Sequence, residues 1–299
     1  MSGAAEDLRH KLAGAKDLQG VVRSMKALAA SSIGQYEKAV ASLEDYYRTV
    51  ELGLGACFRA AGPGPALASD RPAGKRTVGA VIFGSDQGLV GQFNEVLADY
   101  ATRALGARPG KTARIWAVGD RIHALMPEAG RRPSDLLAVP TSVNAITPLV
   151  GRILIELDSA RERGEVDEVH LFHNQPKSGA VYEPVGKRLL PLDHLWQRKL
   201  AALPWPTKRL PQVIGGTALA LPAFIRGYLF VLLFQAGAES LASENASRLA
   251  AMQRAEKNIE DIQEELGRTF HRLRQEAIDE ELFDVISGYE ALAQRPDKA

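Results

Sequence analysis

The stretch from Ala238 to Leu292 reads AESLASENASRLAAMQRAEKNIEDIQEELGRTFHRLRQEAIDEELFDVISGYEAL and contains no proline. One apolar stripe continues along its whole length. A helix of a globular domain usually ends within about twenty residues, so a stripe sustained this long is typical of a coiled coil or a helical rod. At about 1.5 Å per residue, such a helix would be on the order of 80 Å long. The sequence therefore predicts a rod whose apolar face is covered by something other than the core of its own domain.

A heptad pattern predicts which face of this helix makes contacts. The predicted a positions are Met252, Ile259, Leu266 and Leu273, and the d positions are Ala255, Ile262 and Thr269. After Leu273 the phase slips, and the stripe resumes at Ile278, Leu282, Val285, Tyr289 and Leu292. A slip of this kind locally relaxes the supercoil.

A second long helical pattern occupies residues 5 to about 58 and supplies a partner. Its a positions are Ala15, Val22, Ala29, Tyr36, Leu43 and Val50, and its d positions are Leu18, Met25, Ser32, Ala39, Tyr46 and Gly53. Ten of these twelve residues are apolar or aromatic, so the period is unlikely to arise by chance. Each internal glycine weakens the helix by about 1 kcal/mol relative to alanine, so the helix should depend on packing. We expect an antiparallel two-helix coiled coil formed by residues 1–60 and 217–299.

The middle of the chain follows a different pattern. Residues 61–77, AGPGPALASDRPAGKRT, predict an exposed, mobile linker because they are rich in proline and glycine. Short apolar runs then alternate with helical segments of ten to seventeen residues. This alternation favours a Rossmann-like, mostly parallel α/β sheet domain over 78–216, with Tyr182 to Leu192 as an edge strand.

Charge is distributed unevenly along the chain. Residues 1–60 hold eight Lys/Arg and seven Asp/Glu. Residues 238–299 hold eight Lys/Arg and fourteen Asp/Glu, and residues 61–237 hold twenty-one Lys/Arg and fifteen Asp/Glu. The formal sum of +1 argues against binding of nucleic acid or another polyanion. A basic middle joined to an acidic helix suggests different neighbours for each part, although scattered solvated charges would give the same counts.

Cys57 is the only cysteine, which excludes an intrachain disulfide and a cysteine metal cluster and fits a reducing, cytoplasmic compartment. The N-terminus, MSGAAEDLRHKL, has no apolar run of the kind found in signal peptides. Leu219 to Ala236 is the only membrane candidate, but Pro222 and Arg226 interrupt it. The remainder, Tyr228 to Phe234, is too short to span a bilayer, and we expect a buried helix segment there and no transmembrane segment.

The loop after the first predicted strand, Gly84 to Asn94, lies where α/β proteins place a phosphate or dinucleotide site. Its glycines do not have the G-x-G-x-x-G spacing, and no lysine follows as in a phosphate-binding loop. We therefore favour structural turn glycines over a nucleotide site. Asp86 is predicted to cap the following helix or to accept hydrogen bonds in the turn.

The histidines and serines do not suggest a reaction. His170 and His173 are three apart on a predicted strand, so they point to opposite faces and make a poor metal-binding pair. Ser85 and Ser178 lack the G-x-S-x-G context of a nucleophile. We expect no catalytic residue, no metal site and no bound cofactor.

Three segments together resemble the gamma subunit of F-type (rotary) ATP synthases. They are VVRSMKALAASSI at 21–33, IFGSDQGLVGQFN at 82–94 and SENASRLAAMQRAEKNIEDIQEELGRTFHRLRQEAIDEELFDVISGYEAL at 243–292. The third covers about fifty residues with few gaps, and the three span both ends and the middle of the chain.

The resemblance implies the central stalk, or rotor, of the synthase. In that family the terminal helices pair as an antiparallel coiled coil inside a ring of alternating alpha and beta subunits, and the α/β domain meets the epsilon subunit and the membrane c-ring. Turning the stalk couples ion translocation to ATP synthesis or hydrolysis, and the active sites lie on the beta subunits. The chain itself is then not an enzyme, and its expected location is the cytoplasmic face of a bacterial or archaeal cell membrane.

The resemblance also implies contact residues. Met25 and Lys26 match the family's Met-Lys pair facing the beta subunits, Arg274 and Gln275 match its Arg-Gln pair at a beta-subunit loop, and Arg248 matches a family arginine. The acidic and basic blocks of the last helix fit such contacts, but they are equally typical of a solvated face with i,i+4 ion pairs.

Several positions depart from the family pattern, among them Gln87, where the family commonly has arginine, and Val90, where it has cysteine. These departures bear on whether the chain serves a main or an alternative synthase. The other interpretation of the sequence is an α/β nucleotide-dependent enzyme with a coiled-coil dimerisation arm, which should bind nucleotide on its own.

Overall fold

The computed structural model describes residues 3–61, 76–107, 111–178, 180–209, 211–212 and 215–293. In chain order the elements are α1 (Gly3–Ser42), α2 (Glu44–Ala61), β1 (Thr77–Phe83), α3 (Phe93–Gly106), β2 (Lys111–Val118), α4 (Asp120–Glu128), β3 (Asp135–Leu137), α5 (Val143–Glu162), β4 (Glu168–Lys177), β5 (Ala180–Leu190), α6 (His194–Ala202) and α7 (Thr217–Ala293). Most of the predicted linker, 62–75, lies outside the described residues.

The strands form one five-stranded sheet in the order β3-β2-β1-β4-β5. β1 pairs in parallel with β2 and β4, and β2 pairs in parallel with β3. β5 is an antiparallel edge strand on β4. The predicted mostly parallel, Rossmann-like sheet is confirmed. The chain leaves β1 toward β2 on one side and returns to β4 on the other, so the carboxyl end of β1 is the switch point where α/β proteins form crevices.

Helices cover both faces of this sheet. Successive strand residues point to opposite faces. On β1, Val81 and Phe83 join a core shared with α5 and α7, whereas Ala80 and Ile82 join a core shared with α3 and α4. Phe172 on β4 is 1% exposed, and burying one such side chain contributes roughly 1.5–3 kcal/mol.

The sequence pattern does not predict helix α6, because the segment is short and is followed by prolines. The Asp193 carboxylate caps it by accepting from the Leu195 N–H at 3.1 Å. α6 packs closely on α2: a Cβ added at Gly55 would lie 2.4 Å from the Leu200 carbonyl oxygen. The approach of these two helices therefore requires glycine at position 55.

By length and composition alone, the 217–287 portion of α7 could cross a membrane, and a third of its most apolar window is buried in the protein. The Tyr228–Phe234 segment packs in the sheet core with Phe83 and Ile146. Within it only Phe230 is half-buried, and the others are buried. The prediction of a buried helix segment is confirmed.

The chain divides into two compact units. One comprises α1 as far as Leu28 and α7 from Leu249, and the other comprises the intervening chain, Ala29–Arg248. In the first unit Gln19 donates to Glu260 at 3.4 Å, whereas Lys26 donates to Glu256. Residue numbers fall on α1 as they rise on α7, so the two helices are antiparallel, as predicted.

The heptad positions are only partly as predicted. Val22, Ala29, Tyr36 and Val50 are buried, as expected for a positions. The d positions are wrong at Leu18, Tyr46 and Ile262, which are 59%, 47% and 49% exposed. In each case the next residue, Gln19, Tyr47 or Gln263, is half-buried instead. A straight α-helix drifts by about 20° per heptad from a 3.5-residue repeat, and the break between α1 and α2 adds a further change of phase.

Candidate functional site

Glu256 is the centre of the ionic contact between α1 and α7 in the first unit. Its Oε1 accepts from Arg23 Nε at 3.0 Å and its Oε2 from Lys26 Nζ at 2.5 Å. Hydrogen bonds from Lys26 and then Arg23 lower the pKa of Glu256. Lys26, predicted from the family resemblance to contact a partner, is half-buried and already binds α7 within the chain.

An uncovered apolar face runs along α1 beside Met25. Leu18, Val21 and Leu28 are 59%, 56% and 69% exposed, and the three-to-four-residue spacing places them with Met25 on one side of the helix. Val21, Met25 and Leu28 line a shallow groove with the small residues of the same helix. Met25 is half-buried and lies at the edge of this exposed face.

Between Arg272 and Ile286, α7 is exposed on several sides. Arg274 and Gln275 are exposed, and Arg272 pairs with Glu276 at 3.8 Å. The apolar residues that follow are 46% to 72% exposed: Ile278, Leu282, Phe283, Val285 and Ile286. At about 1.5 Å per residue, Arg274 lies roughly 27 Å along α7 from Glu256. Two separate parts of the first unit therefore carry the predicted contact residues.

Arg248, the remaining predicted contact residue, belongs to the second unit and is largely buried. Its Nη2 binds Glu244 Oε1 at 2.6 Å, and its side chain is 13% exposed. Burial raises the pKa of Glu244, and the hydrogen bond from Arg248 only partly offsets this. The Arg248 guanidinium therefore binds a carboxylate of its own unit.

The loop that follows β1 bonds to the surrounding protein. The Asn94 side chain accepts from the Ser85 N–H at 3.0 Å and donates to Ser85 Oγ at 2.8 Å. Asp86 Oδ1 accepts from the Asp120 N–H and Oδ2 from the Val139 N–H, each at 3.0 Å. Asp86 therefore joins β1 to the segments after β2 and β3, and it is not a cap of α3, whose N-cap is Gln92.

The glycines of this loop have structural roles. A Cβ at Gly84 would lie 2.4 Å from Ile122 Cβ, and Gly91 has a positive φ of 58°. The close approach at Gly84 requires glycine, and the positive φ of Gly91 favours it. The glycines thus serve the turn.

The two strand histidines bind different acids. His170 Nε2 lies 2.5 Å from Glu168, and His173 Nε2 lies 2.8 Å from Glu239 on α7. Burial acts to raise the pKa of Glu239, but hydrogen bonds from His173 and Gln235 bring it below the ordinary carboxyl value. Among the described residues, no group of three or more His, Cys, Asp or Glu is arranged to hold a metal ion.

Sequence reasoning missed two acids that organise these surfaces. Glu256 follows the predicted d position Ala255 and so flanks the helix seam, but its partners Arg23 and Lys26 depend on the register of the two helices. Glu244 precedes Arg248 by one helical turn, which is the spacing of an i,i+4 pair. Its burial depends on tertiary packing, which the spacing alone does not reveal.

A profile of the family described as ATP synthase matches residues 4–292. The chain is 27% identical over 305 residues to the ATP synthase gamma chain of Frankia casuarinae, covering 98% of this chain and 99% of the relative. It is 28% identical over 297 residues to the ATP synthase gamma chain of Nitratidesulfovibrio vulgaris Hildenborough, covering 96% of this chain and 98% of the relative.

Solved structures share the fold. A chain in the cryo-EM structure of the Euglena gracilis mitochondrial ATP synthase, OSCP/F1/c-ring in rotational state 3, aligns with a TM-score of 0.65 at 17% identity, over 99% of this chain and 98% of that one. A chain of the Tetrahymena thermophila mitochondrial ATP synthase central stalk and c-ring aligns with a TM-score of 0.57 at 22% identity. The alignment covers 79% of this chain and 99% of that one. At these identities the likeness shows the fold alone.

Proposed function

This chain belongs to the ATP synthase family, among its gamma chains, and we propose that it turns as the central stalk to couple ion translocation to ATP synthesis or hydrolysis. The match over residues 4–292 carries this proposal, because it includes both terminal helices and the sheet domain. The proposed partners are the alpha and beta subunits around the helices, and the epsilon subunit and c-ring at the α/β domain.

The uncovered apolar faces support an enclosing partner. Leu18, Val21 and Leu28 on α1, and the apolar residues after Gln275 on α7, remain exposed in the isolated chain. Exposed apolar residues on one side of a helix are a common mark of a protein–protein contact. A surrounding ring of alpha and beta subunits would cover both faces.

We propose four exposed or half-exposed residues as contacts with that ring: Met25, Lys26, Arg274 and Gln275. Met25 lies at the edge of the exposed face of α1. Arg274 offers a planar guanidinium that can bind a carboxylate or a carbonyl pair. Arg248 belongs to the proposed set in an indirect role: by holding Glu244 it would fix the surface of α7 that meets the ring.

We propose further that the chain is not catalytic and that it lies at the cytoplasmic face of the membrane as a peripheral subunit. At the switch point of the sheet, both Asp86 oxygens are engaged by backbone N–H groups. The polar groups of that loop therefore hold the fold together, which supports a mechanical role. The ATP-binding sites would lie on the beta subunits.

Nucleotide binding tests the proposal against the enzyme alternative. The isolated full-length chain should bind neither ATP nor ADP in equilibrium dialysis, whereas its complex with the alpha and beta subunits should bind both and hydrolyse ATP. Tight ATP binding by the isolated chain, together with failure to co-purify with alpha and beta subunits, would support the dimerising enzyme instead.

The contact residues can be tested in the assembled complex. Arg274→Ala should lower ATP-driven ion pumping, because it removes one side of a contact with the ring. Arg272→Ala is the matched control, since Arg272 is exposed on the same helix and pairs with Glu276 within the chain. Equal pumping by the two variants would contradict a special role for Arg274.

A further inference from the structure

A polar cavity of about 250 Å³ lies within the second unit, beside the carboxyl ends of β1 and β3. Asp86 and Gln87 line it from the loop after β1, and Thr141 lines it from the segment after β3. Tyr36 of α1 and Glu244 of α7 also line it. One water molecule occupies about 30 Å³ in the liquid, so the cavity has room for a small ion and several waters.

Glu244 gives this cavity an unusual electrostatic character. The residue is 6% exposed, and its Oε1 is bound by Arg248. Its Oε2 is buried and accepts no hydrogen bond from the described residues. A buried charged oxygen without a partner is costly, so an additional positive charge or donor would be stabilised beside it.

The charged side chains that line the cavity sum to one negative charge. Asp86 and Glu244 are acidic, and Arg248 is the one basic residue among the described residues that line the cavity. Asp86 lies close enough to raise the pKa of Glu244 further. Gln87, which also lines the cavity, is neutral.

We propose that the cavity binds a monovalent metal cation, K⁺ or Na⁺, through Glu244 Oε2 and the hydroxyl oxygens of Tyr36 and Thr141. All three are hard oxygen donors, which suit alkali and alkaline-earth cations. The single net negative charge matches a monovalent ion. Arg248 beside the carboxylate disfavours a divalent ion, which usually recruits several free carboxylates.

A proton is the competing occupant of the same site. Burial raises the pKa of Glu244, and the other charged or titratable groups facing it are Arg248, Asp86 and Tyr36. Protonation of Glu244 removes the charge that holds the cation.

Thermal unfolding of the purified full-length chain tests this site. Circular dichroism would follow Tm while choline chloride is replaced by KCl or NaCl at constant ionic strength, since choline offers no bare charge for oxygen coordination. At roughly ten times the Kd, a bound cation should raise Tm by roughly 3–5 °C, and Tm should keep rising with the logarithm of the cation concentration above that point. The same Tm in all three salts would overturn the proposal.

Variants identify the cavity as the source of the response. Glu244→Gln should abolish the difference between choline and K⁺ or Na⁺, whereas Glu239→Gln, which alters another part-buried acid of α7, should keep it. Gln87→Arg should raise Tm in choline and remove the response, because its guanidinium replaces the cation. An unchanged response in Glu244→Gln or in Gln87→Arg would contradict the site.

A milder change keeps the test open if Glu244→Gln fails to fold. Thr141 is exposed at the mouth of the cavity, so Thr141→Val should fold and leave the charges intact. A several-fold higher cation concentration should then be needed for the same rise in Tm. An unchanged concentration dependence in Thr141→Val would count against coordination at this position.

Discussion

Replacing Asp86 by asparagine should destabilise the α/β domain, because one of the two hydrogen bonds that its carboxylate accepts is lost. The carboxylate accepts from the Asp120 N–H and the Val139 N–H, one at each oxygen and each at 3.0 Å. Asparagine has the same shape but one oxygen, so its amide nitrogen would face a backbone donor. A hydrogen bond to a charged group contributes about 1.5–3 kcal/mol, so losing one and weakening the other should cost about 2–4 kcal/mol.

The assay is urea unfolding of the full-length chain, followed by circular dichroism. A loss of this size should also lower Tm by roughly 5–10 °C. Asp99→Asn is the matched control, because Asp99 is exposed on α3, and it should stay within about 0.5 kcal/mol of the parent chain. If Asp86→Asn were as stable as this control, the loop after β1 would not depend on Asp86, and the reasoning would be refuted.

Three further changes have definite expected outcomes. Gly55→Ala should destabilise the chain by roughly 1–3 kcal/mol in urea, because its Cβ meets the Leu200 carbonyl, whereas Gly151→Ala, where the space is open, should not. The folded pKa of Glu239 lies below the ordinary value of 4.5, so its contribution is present above that pH and is lost as the pH falls through the lower folded value. Glu239→Gln should therefore lower Tm at neutral pH and flatten the fall of Tm in acid, and a parallel pH profile would contradict this. Glu256→Lys should loosen the first unit by repelling two cations of α1, seen as faster amide hydrogen exchange in 3–28, and unchanged exchange would refute the pairing.

Much of the fold follows from local sequence patterns. The apolar runs at β1, β2 and β4 and the amphipathic helices between them determine a parallel sheet, because each pattern is periodic and bounded by turn residues. The long stripes of α1 and α7 likewise determine an antiparallel pair. These features depend on residues close together in the sequence.

Other features depend on packing that the sequence does not display. At Leu18, Tyr46 and Ile262 the half-buried residue is one position later than the predicted d position. A strict heptad has about 3.5 residues per turn, whereas the helix has about 3.6, and the helix also breaks near Leu43. The pairing of Arg248 with Glu244 follows an i,i+4 spacing, but the burial of both side chains depends on tertiary packing.

The candidate contact surface is predictable only in part. Family resemblance selected Met25, Lys26, Arg274 and Gln275, and the exposed apolar residues beside them are visible in the stripe pattern. The pairing of Lys26 with Glu256 spans 230 positions and depends on the register of two helices. Small changes in helix phase alter such a register, so spacing alone does not determine it.

Rotation of single molecules tests most directly whether this chain is a rotor. Alpha and beta subunits of the same synthase would be assembled around the chain and fixed to a surface. A bead would be attached at Arg132→Cys, an exposed position; Cys57 is fully buried and would not react. We expect the bead to turn repeatedly in one direction when ATP is added and to stop when ATP is removed. ATP hydrolysis by the assembled ring with a stationary bead would contradict the rotor function.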